Sequence, residues 1–582
     1  MLRATLPTIV LKFGSSVLQN AASLPIAVAE TYRHYRDGNR VVVVVSAFER
    51  VTDTLCATAQ ILSPDPDPGT LAALVSTGEV VSAAQLTLAL HRAGLSAQLV
   101  DPREIELTAI GERSNAALSG LKIECLNARL SQTSVVVVPG FFAQSVAGGL
   151  SLLGRGGSDF TALYLADALR ARCCLLKDVD GLYESDPASG GNPGRFALAN
   201  YATATACAGP LIQAKAVHFA RDRSLSLDIA RVGSSRGTRI GEGPTIVSRA
   251  PPARRMRVAL LGLGNVGGGL LEYLNHFPER FEVVAALVLT PAKHIGRGVP
   301  AAILTNSADA VFARRPEILV EALPGIEPAG AYVRRALKAL MRVVTANKAL
   351  LVAEWSTLAP RLVGPHRQIR YTAAVGGSVP MLETVERLSL RSRIVRLRGV
   401  LNGTSNFVLD RCATGDSFSN AVLRAQAEGF AEADPSEDLS GRDAARKIEL
   451  LGRVAFGGTP HVQGLAGIEP ESSPRAESLD NVRTRLVAEA WVTETGFTYT
   501  VTPRVLSLAD FLAETRAEQN RLEITLSDAR IVTLQGLGAG RVPTATAVFA
   551  DLLEHARQIE SEILETSELE ARQPSSEAVK QS

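Results

Sequence analysis

Between Thr8 and Ile240 the chain alternates short aliphatic runs with longer stretches in which apolar residues recur every three or four positions. The runs Ile9 to Leu11, Val41 to Val45, Ala97 to Val100, Val135 to Val138 and Cys174 to Leu176 are apolar throughout. Continuous runs of this kind predict strands buried on both faces, as in a mostly parallel sheet with helices on either side. Residues 241–255, rich in Gly, Pro and Arg, read as an exposed connector. The α/β rhythm restarts at Met256, and from about Arg391 it gives way to longer amphipathic helices mixed with strands. The expected organisation is an α/β domain over 1–240, a linker over 241–255 and a second α/β domain over 256–390. An α+β subdomain follows over 391–530, then a return to the second domain over 531–559 and a polar tail over 560–582.

A chain of 582 residues exceeds what one core organises, so several domains are required. With 46% hydrophobic and 21% charged residues the composition is that of a folded protein rather than a disordered scaffold. The formal net charge is only +2 and no basic stripe interleaved with aromatics is present, which argues against a nucleic-acid partner. The six cysteines show no C-x-x-C spacing, the N-terminus lacks the apolar core of a signal peptide, and no run approaches the ~18 apolar residues of a membrane span. A reducing, cytoplasmic setting without a membrane partner is expected.

Residues 257–267 run from an apolar strand into Gly262-Leu-Gly264-Asn265-Val266-Gly267 and then a helix. Gly262 permits a tight turn, Gly264 lets backbone approach a pyrophosphate, and Gly267 allows close helix–strand packing under a positive helix N-terminus. This predicts a Rossmann-type dinucleotide site. The second strand, Phe281 to Leu289, ends in Thr290-Pro291 without the acid that binds a ribose 2′-hydroxyl. Lys293, His294 and Arg297 follow instead, a set suited to a 2′-phosphate, so NADP(H) is expected over NAD(H).

In residues 431–447 the acids Glu432, Asp434, Asp438 and Asp443 precede Lys447. Helical spacing of Ala444, Ala445, Ile448 and Leu451 predicts a helix from near Ser440, with Ser440 and Asp443 as a capping box. Asp443 and Lys447 then share one face, where an exposed ion pair would contribute roughly 0.3–0.5 kcal/mol. The stretch resembles, position for position, the homoserine dehydrogenase signature E-x-D-P-x-x-D-L-x-G-x-D-x-x-x-K. Blocks at Gly262 to Gly267, Thr345 to Leu351, Ala374 to Pro380, Asn402 to Asn406 and Gly536 to Ala545 resemble that family in the same order. The resemblance implies reduction of aspartate 4-semialdehyde to homoserine, with Lys348 and Lys447 as active-site cations and Asp443 orienting Lys447. It further implies Glu432 and Asp438 on the substrate, and Asn402, Gly403 and Thr404 at the nicotinamide end. A monovalent cation near the Val375 carbonyl is implied only weakly, because Thr372 stands where the family carries Glu and Ser378 where it carries Gly.

In the first domain, Lys12-Phe-Gly14-Ser15-Ser16 follows a strand, the form of a phosphate cradle. With Ser76-Thr-Gly-Glu79, Leu153-Gly-Arg155-Gly-Gly-Ser158-Asp159, Asp178-Val-Asp180-Gly-Leu-Tyr183 and Ala214-Lys215, it resembles the aspartate kinase branch of the amino-acid kinase family. The resemblance implies ATP with Mg²⁺ carried mainly by the phosphates, and Lys12 on the transferring phosphoryl group. Glu79, Arg155, Ser158 and Asp159 would hold aspartate, and Gly14, Ser15, Ser16, Asp178, Asp180, Tyr183 and Lys215 the nucleotide. Three departures stand out: the first loop is one residue short, Lys177 replaces Thr, and Gln213 replaces Gly. Two readings therefore stay open, an active kinase or a kinase-derived assembly module. Bifunctional relatives carry paired ACT regulatory modules between such halves, and 15 residues leave no room for them. The partners expected are small molecules (aspartate, its semialdehyde and homoserine) together with a second copy of the chain, since the family's subdomain dimerises.

Overall fold

The structure, a computed structural model, describes residues 6–189, 193–207, 209, 211–248, 254–364, 366–470 and 481–572. It divides into two compact units: one gathers the chain up to Arg92, Ser96–Arg254 and residues from Ala556, the other Ala93–Leu95 and Arg255–His555. Residues 249–253 of the expected connector and 573–582 of the expected tail lie outside the described residues.

The first unit is built on a nine-stranded sheet in the order Ile246–Ser248, Arg195–Asn200, Gly237–Gly241, Leu227–Arg231, Arg172–Lys177, Thr8–Phe13, Arg40–Val45, Val135–Pro139, Ala97–Leu99. Six neighbouring strands, from Leu227–Arg231 to Ala97–Leu99, are parallel. The valines of Arg40–Val45 and Val135–Pro139 are fully buried, which is why these strands read as unbroken apolar runs. The helix Pro68–Arg92 is long and apolar enough to cross a membrane by length and composition, yet half of its most apolar window is buried within this unit. It carries Glu79, which is buried too; burial in a protein core accounts for the helix's apolar character.

In the second unit six parallel strands stand in the order Leu304–Thr305, Phe281–Leu287, Met256–Leu261, Ile318–Glu321, Arg342–Thr345, Ile369–Arg370. In chain order this is 3-2-1-4-5-6, the doubly wound dinucleotide topology. A second sheet of this unit, mainly antiparallel, runs Thr459–Leu465, Gly496–Ser507, Val482–Val492, Ile394–Val400, Gln519–Leu526, Ile531–Leu537. The helices Gly403–Ala413 and Arg442–Phe456 bury their apolar faces in the same core as this sheet.

Three boundaries differ from expectation. The strand Ile531–Leu537 pairs with Gln519–Leu526 in the antiparallel sheet, so the return to the dinucleotide domain comes after it, with the part of the helix Arg541–Arg572 that runs to His555. Phe549 of that helix packs on Tyr273, Phe277 and Phe281. The same helix continues to Arg572, through much of the expected tail. The strand from Phe281 ends at Leu287, two residues early, and Leu289 is fully exposed.

Candidate functional site

In the second unit the site is assembled from three strand or helix ends. Lys348 opens the helix Lys348–Ala353 after the strand Arg342–Thr345, and Asn347 caps that helix by accepting from the Leu350 amide. Asn402 follows the strand Ile394–Val400 and caps Gly403–Ala413 by accepting from the Ser405 amide at 2.8 Å. Asp443 and Lys447 lie one turn apart on Arg442–Phe456. That helix starts at Gly441, whose φ of +79° suits glycine. The expected capping box is therefore absent: the Ser440 hydroxyl donates to the Glu437 carbonyl at 3.4 Å instead.

Nor is the Asp443–Lys447 pair exposed. Asp443 is 6% exposed and takes Lys348 Nζ at 2.9 Å on one oxygen and Lys447 Nζ at 2.8 Å on the other. Asn402 Nδ2 donates to Asp443 at 2.9 Å and to Asp438 at 2.7 Å, and the Thr404 hydroxyl lies 2.8 Å from Asp438. Lys447 also donates to the Leu401 carbonyl at 2.6 Å. Burial would raise the Asp443 carboxyl, but the two ammonium groups and the Lys447 and Asn402 hydrogen bonds outweigh it and hold Asp443 well below the usual carboxylate range. Lys348 is raised by the Asp443 charge against the opposing effect of burial. The arrangement holds two lysines on one carboxylate, with the Lys348 side chain 31% exposed and open to a ligand.

The glycine loop of this unit fits a dinucleotide. Gly262 has φ +93°, and a Cβ on Gly267 would fall 2.0 Å from the Gly262 carbonyl oxygen, whereas one on Gly264 would meet open space. Asn265 and Val266 open the helix Asn265–Asn275, whose N-terminus has no side-chain cap, so its amides remain for a phosphate. Lys293 and Arg297 are exposed beside the end of the second strand. A network absent from the motif reading lies nearby: Glu321 accepts from the Thr345 hydroxyl at 2.6 Å and the Leu323 amide at 2.7 Å. Burial raises its carboxyl despite these bonds. The lone acid at the end of the apolar run Ile318–Glu321 was its signal in the sequence.

Glu432 is exposed, and its backbone carbonyl accepts from Gln426 at 3.3 Å. At the turn with Val375, Thr372 donates from its amide and hydroxyl to Asp551, both at 2.9 Å. A carboxylate therefore reaches this turn from the C-terminal helix, already engaged by Thr372.

In the first unit a cavity of about 970 Å³ is lined by Lys12, Gly14, Ser15, Ser16, Glu79, Arg155, Ser158, Asp178 and Tyr183 among others. Lys12 is the next-to-last residue of the strand Thr8–Phe13, and a Cβ on Gly14 would sit 3.1 Å from its Nζ, so glycine leaves that ammonium its room. Glu79 is 2% exposed and one of its oxygens has no hydrogen-bond partner. Burial pushes its carboxyl up to about 8 against the Lys12 charge and an Ala47 amide. The Tyr183 hydroxyl donates to Asp180 at 2.5 Å, and burial together with that bond raises it to about 12.

Three expected ligands do not line this cavity: Asp180 is held by the Tyr183 hydroxyl, and Lys215 and Asp159 are used otherwise. Lys215 donates to the carbonyls of Ala116 at 2.7 Å and Leu153 at 3.0 Å and to Asn115 at 3.1 Å, tying loops together rather than lining the cavity. Asp159, 4% exposed, lies between Lys12 at 2.7 Å and Lys177 at 3.0 Å, so both its oxygens are engaged before any substrate arrives. Lys177, noted in the sequence only as a departure, does line the cavity. Among the described residues no group of three or more His, Cys, Asp or Glu side chains could hold a metal ion.

A doubly wound dinucleotide fold with a lysine–carboxylate cluster in its α+β subdomain defines an NAD(P)-linked oxidoreductase, here joined to a kinase-type α/β domain. Residues 262–368 match the family described as homoserine dehydrogenase, NAD binding domain, residues 380–553 homoserine dehydrogenase, and residues 7–218 the amino acid kinase family. The homoserine dehydrogenase of Mycobacterium bovis is 32% identical over 320 residues, covering 52% of this chain and 72% of that protein. That of Neisseria gonorrhoeae is 30% identical, covering 53% and 74%. A solved homoserine dehydrogenase from Thiobacillus denitrificans is 30% identical over 55% of this chain and 76% of its own, with a TM-score of 0.47. The chain belongs to the homoserine dehydrogenase family, and its N-terminal unit is an amino acid kinase domain.

Proposed function

We propose that the second unit reduces aspartate 4-semialdehyde to homoserine, preferring NADPH, and that the first transfers the γ-phosphoryl group of ATP to the side-chain carboxylate of aspartate. The Lys348–Asp443–Lys447 cluster carries the first part. A bound nicotinamide supplies the hydride. As the carbonyl oxygen gains charge, the Lys348 and Lys447 ammonium groups stabilise it, and one of them gives it a proton. Asp443, anionic and shared, fixes both lysines, while Asn402 holds Asp443 against Asp438. Glu432 is free to swing onto the substrate ammonium, and Gly403 and Thr404 shape the cleft beside Asn402. The glycine loop with Asn265 and Val266 holds the pyrophosphate.

In the first unit an aspartate carboxylate oxygen forms the new P–O bond as the bond from γ-phosphorus to its bridging oxygen breaks, and ADP leaves. This transfer needs positioning and charge neutralisation more than covalent help. Lys12 meets the transferring group, and the unpaired oxygen of Glu79 awaits the aspartate ammonium. Arg155 and Ser158 lie along the same cavity for the aspartate carboxylates, and Gly14, Ser15 and Ser16 for the phosphates. Asp178 and Tyr183 bound its nucleotide side, and Asp180 acts there through the Tyr183 hydroxyl that it holds. Both activities are assayed on the full chain: NADPH oxidation with aspartate semialdehyde, and hydroxamate formation from ATP, Mg²⁺ and aspartate. Absence of the first overturns the reductase assignment. Absence of the second, with the first intact, makes the N-terminal unit an assembly module.

A further inference from the structure

The strand Arg172–Lys177 is buried from Cys173 onward and ends in a lysine that is itself 8% exposed. A buried ammonium is costly unless something repays its lost hydration. Asp159 does so only in part, because the same carboxylate already neutralises Lys12 at the shorter distance, 2.7 Å against 3.0 Å. Glu79, a buried acid that lines the cavity, adds no counter-charge near neutral pH because burial holds it protonated up to about 8. Among the buried side chains here there are therefore two cations and one anion, and the remaining acid beside Lys177, Asp178, is exposed to solvent that screens it. Lys177 registers the imbalance: burial first, then the Lys12 charge, lowers its pKa against the combined pull of Asp159 and Asp178.

Position points the same way. Lys12 and Lys177 stand at the C-terminal ends of adjacent parallel strands, Lys12 next to last and Lys177 last, with Leu175 opposite Lys12, and both line the cavity along with Gly14, Ser15 and Ser16. That first loop is one residue shorter than the kinase pattern it resembles, so it offers one backbone donor fewer to a phosphate. The cation that replaces the pattern's threonine stands on the same cavity.

We propose that Lys177 is a second phosphate-binding cation of this site, acting with Lys12 across Asp159 to hold the polyphosphate of a nucleoside triphosphate and making good the shortened loop. This rests on the kinase reading of the unit. A charge-assisted contact to phosphate contributes about 1.5–3 kcal/mol, roughly 10- to 100-fold in affinity.

The test is calorimetric titration of the full chain with ATP, ADP and AMP, beside the hydroxamate assay. Lys177→Thr should weaken ATP at least tenfold, ADP less, and AMP hardly at all, while Lys177→Arg stays within a fewfold of the wild type on all three. Reductase activity should not move in either variant. If Lys177→Thr binds the three nucleotides as the wild type does, Lys177 is a structural ion-pair partner and the proposal fails while the kinase reading stands. If the wild-type chain binds none of them, the kinase reading itself fails and takes the proposal with it. Should Lys177→Thr lose all three together with its circular-dichroism signal, Lys177→Gln decides: a folded variant with wild-type ATP affinity overturns the proposal, and a selective loss of ATP affinity supports it.

Discussion

The two units contain the same local device put to different ends. In each, a helix begins at a glycine in the left-handed region, Gly156 at φ +77° and Gly441 at φ +79°, without a side-chain cap. In each, an aspartate of the first turn is buried between two lysines. The surroundings differ. Around Asp443 a second acid, Asp438, is tied in through Asn402, so cations and anions balance. Around Asp159 the nearby acid Glu79 is held neutral by burial, so among the buried groups positive charge is left over, with only the solvent-exposed Asp178 beside Lys177 against it. A balanced cluster suits a neutral carbonyl that gains one charge as it reacts, and an unbalanced one suits a ligand that arrives with several charges. Charge count, more than the presence of a Lys–Asp–Lys bridge, separates the two chemistries.

The largest effect is expected where the bridge is cut on the reductase side. Asp443→Asn should lower kcat for semialdehyde reduction at least ~10²-fold, the usual cost of disordering a donor aimed at a developing oxyanion. Asp443→Ala should in addition destabilise the unit by about 3 kcal/mol, since it leaves the buried Lys447 and the half-buried Lys348 without their anion. Steady-state kinetics with a urea melt checks both, and more than half the wild-type activity in the asparagine variant would show that the bridge is not part of the chemistry. The pH sign follows from the depressed Asp443 carboxyl: its stabilisation is present above the unfolded carboxylate pKa near 4 and is lost as pH falls below that range.

Asp159→Asn cuts the corresponding bridge of the first unit. It should reduce hydroxamate formation by about tenfold or more while leaving NADPH oxidation within twofold, because the two clusters belong to separate units. A comparable fall in both activities would break the comparison.

How far all this was legible in the sequence depended on whether one residue's neighbours decide its role. Fully apolar runs such as Val41 to Val45 announced their strands, because a strand covered on both faces has no polar side to confuse the pattern. Gly262, Gly264 and Gly267 announced the loop because backbone geometry permits little else there. Ser440 and Asp443 looked like a capping box because spacing cannot reveal that Gly441 takes the left-handed turn first. Lys215 looked like a nucleotide ligand, yet three oxygens distant in sequence claim its ammonium. Asp159 and Lys177 meet across 18 residues, and no local rule shows that one carboxylate serves two lysines. Motifs marked where the chemistry stands, and only tertiary contacts assigned the partners.

A smaller effect separates Glu79 from the acids of the reductase site. Its folded pKa of about 8 lies above the ordinary carboxylate value, so the unfolded chain releases this proton first, and the group's contribution to stability falls as pH rises from about 4.5 to 8. Aspartate brings an ammonium that needs the ionised form, so binding below pH 8 must expel a proton. Apparent affinity for aspartate should rise about tenfold per pH unit from 6 towards 8 and then level off. In Glu79→Gln the slope should vanish, and a flat profile in the wild type would show that Glu79 does not meet the amino group.

The smallest effect lies at the rim of the dinucleotide site, where charges are exposed rather than buried. The strand Phe281–Leu287 ends without an acid, and its Glu282 lies 3.6 Å from Arg257 near the start of that strand. Beyond the strand, Lys293 and Arg297 stand in solvent. Exposed cations meeting a phosphate contribute little each, about 0.2–1 kcal/mol in water, so the preference of NADPH over NADH should be a matter of several-fold rather than thousands. It should also be screened. At 0.5 M salt, where charges act over only about 4–5 Å, the ratio of kcat/KM for the two cofactors should shrink markedly, while the buried Lys348–Asp443–Lys447 cluster keeps kcat with NADH nearly constant. The double variant Lys293→Ala/Arg297→Ala should reach the same low ratio without added salt. An NADH preference in the wild type, or a salt-independent NADPH preference that survives the double variant, would show that the 2′-phosphate is read by other residues and that this rim is only a solvated basic loop.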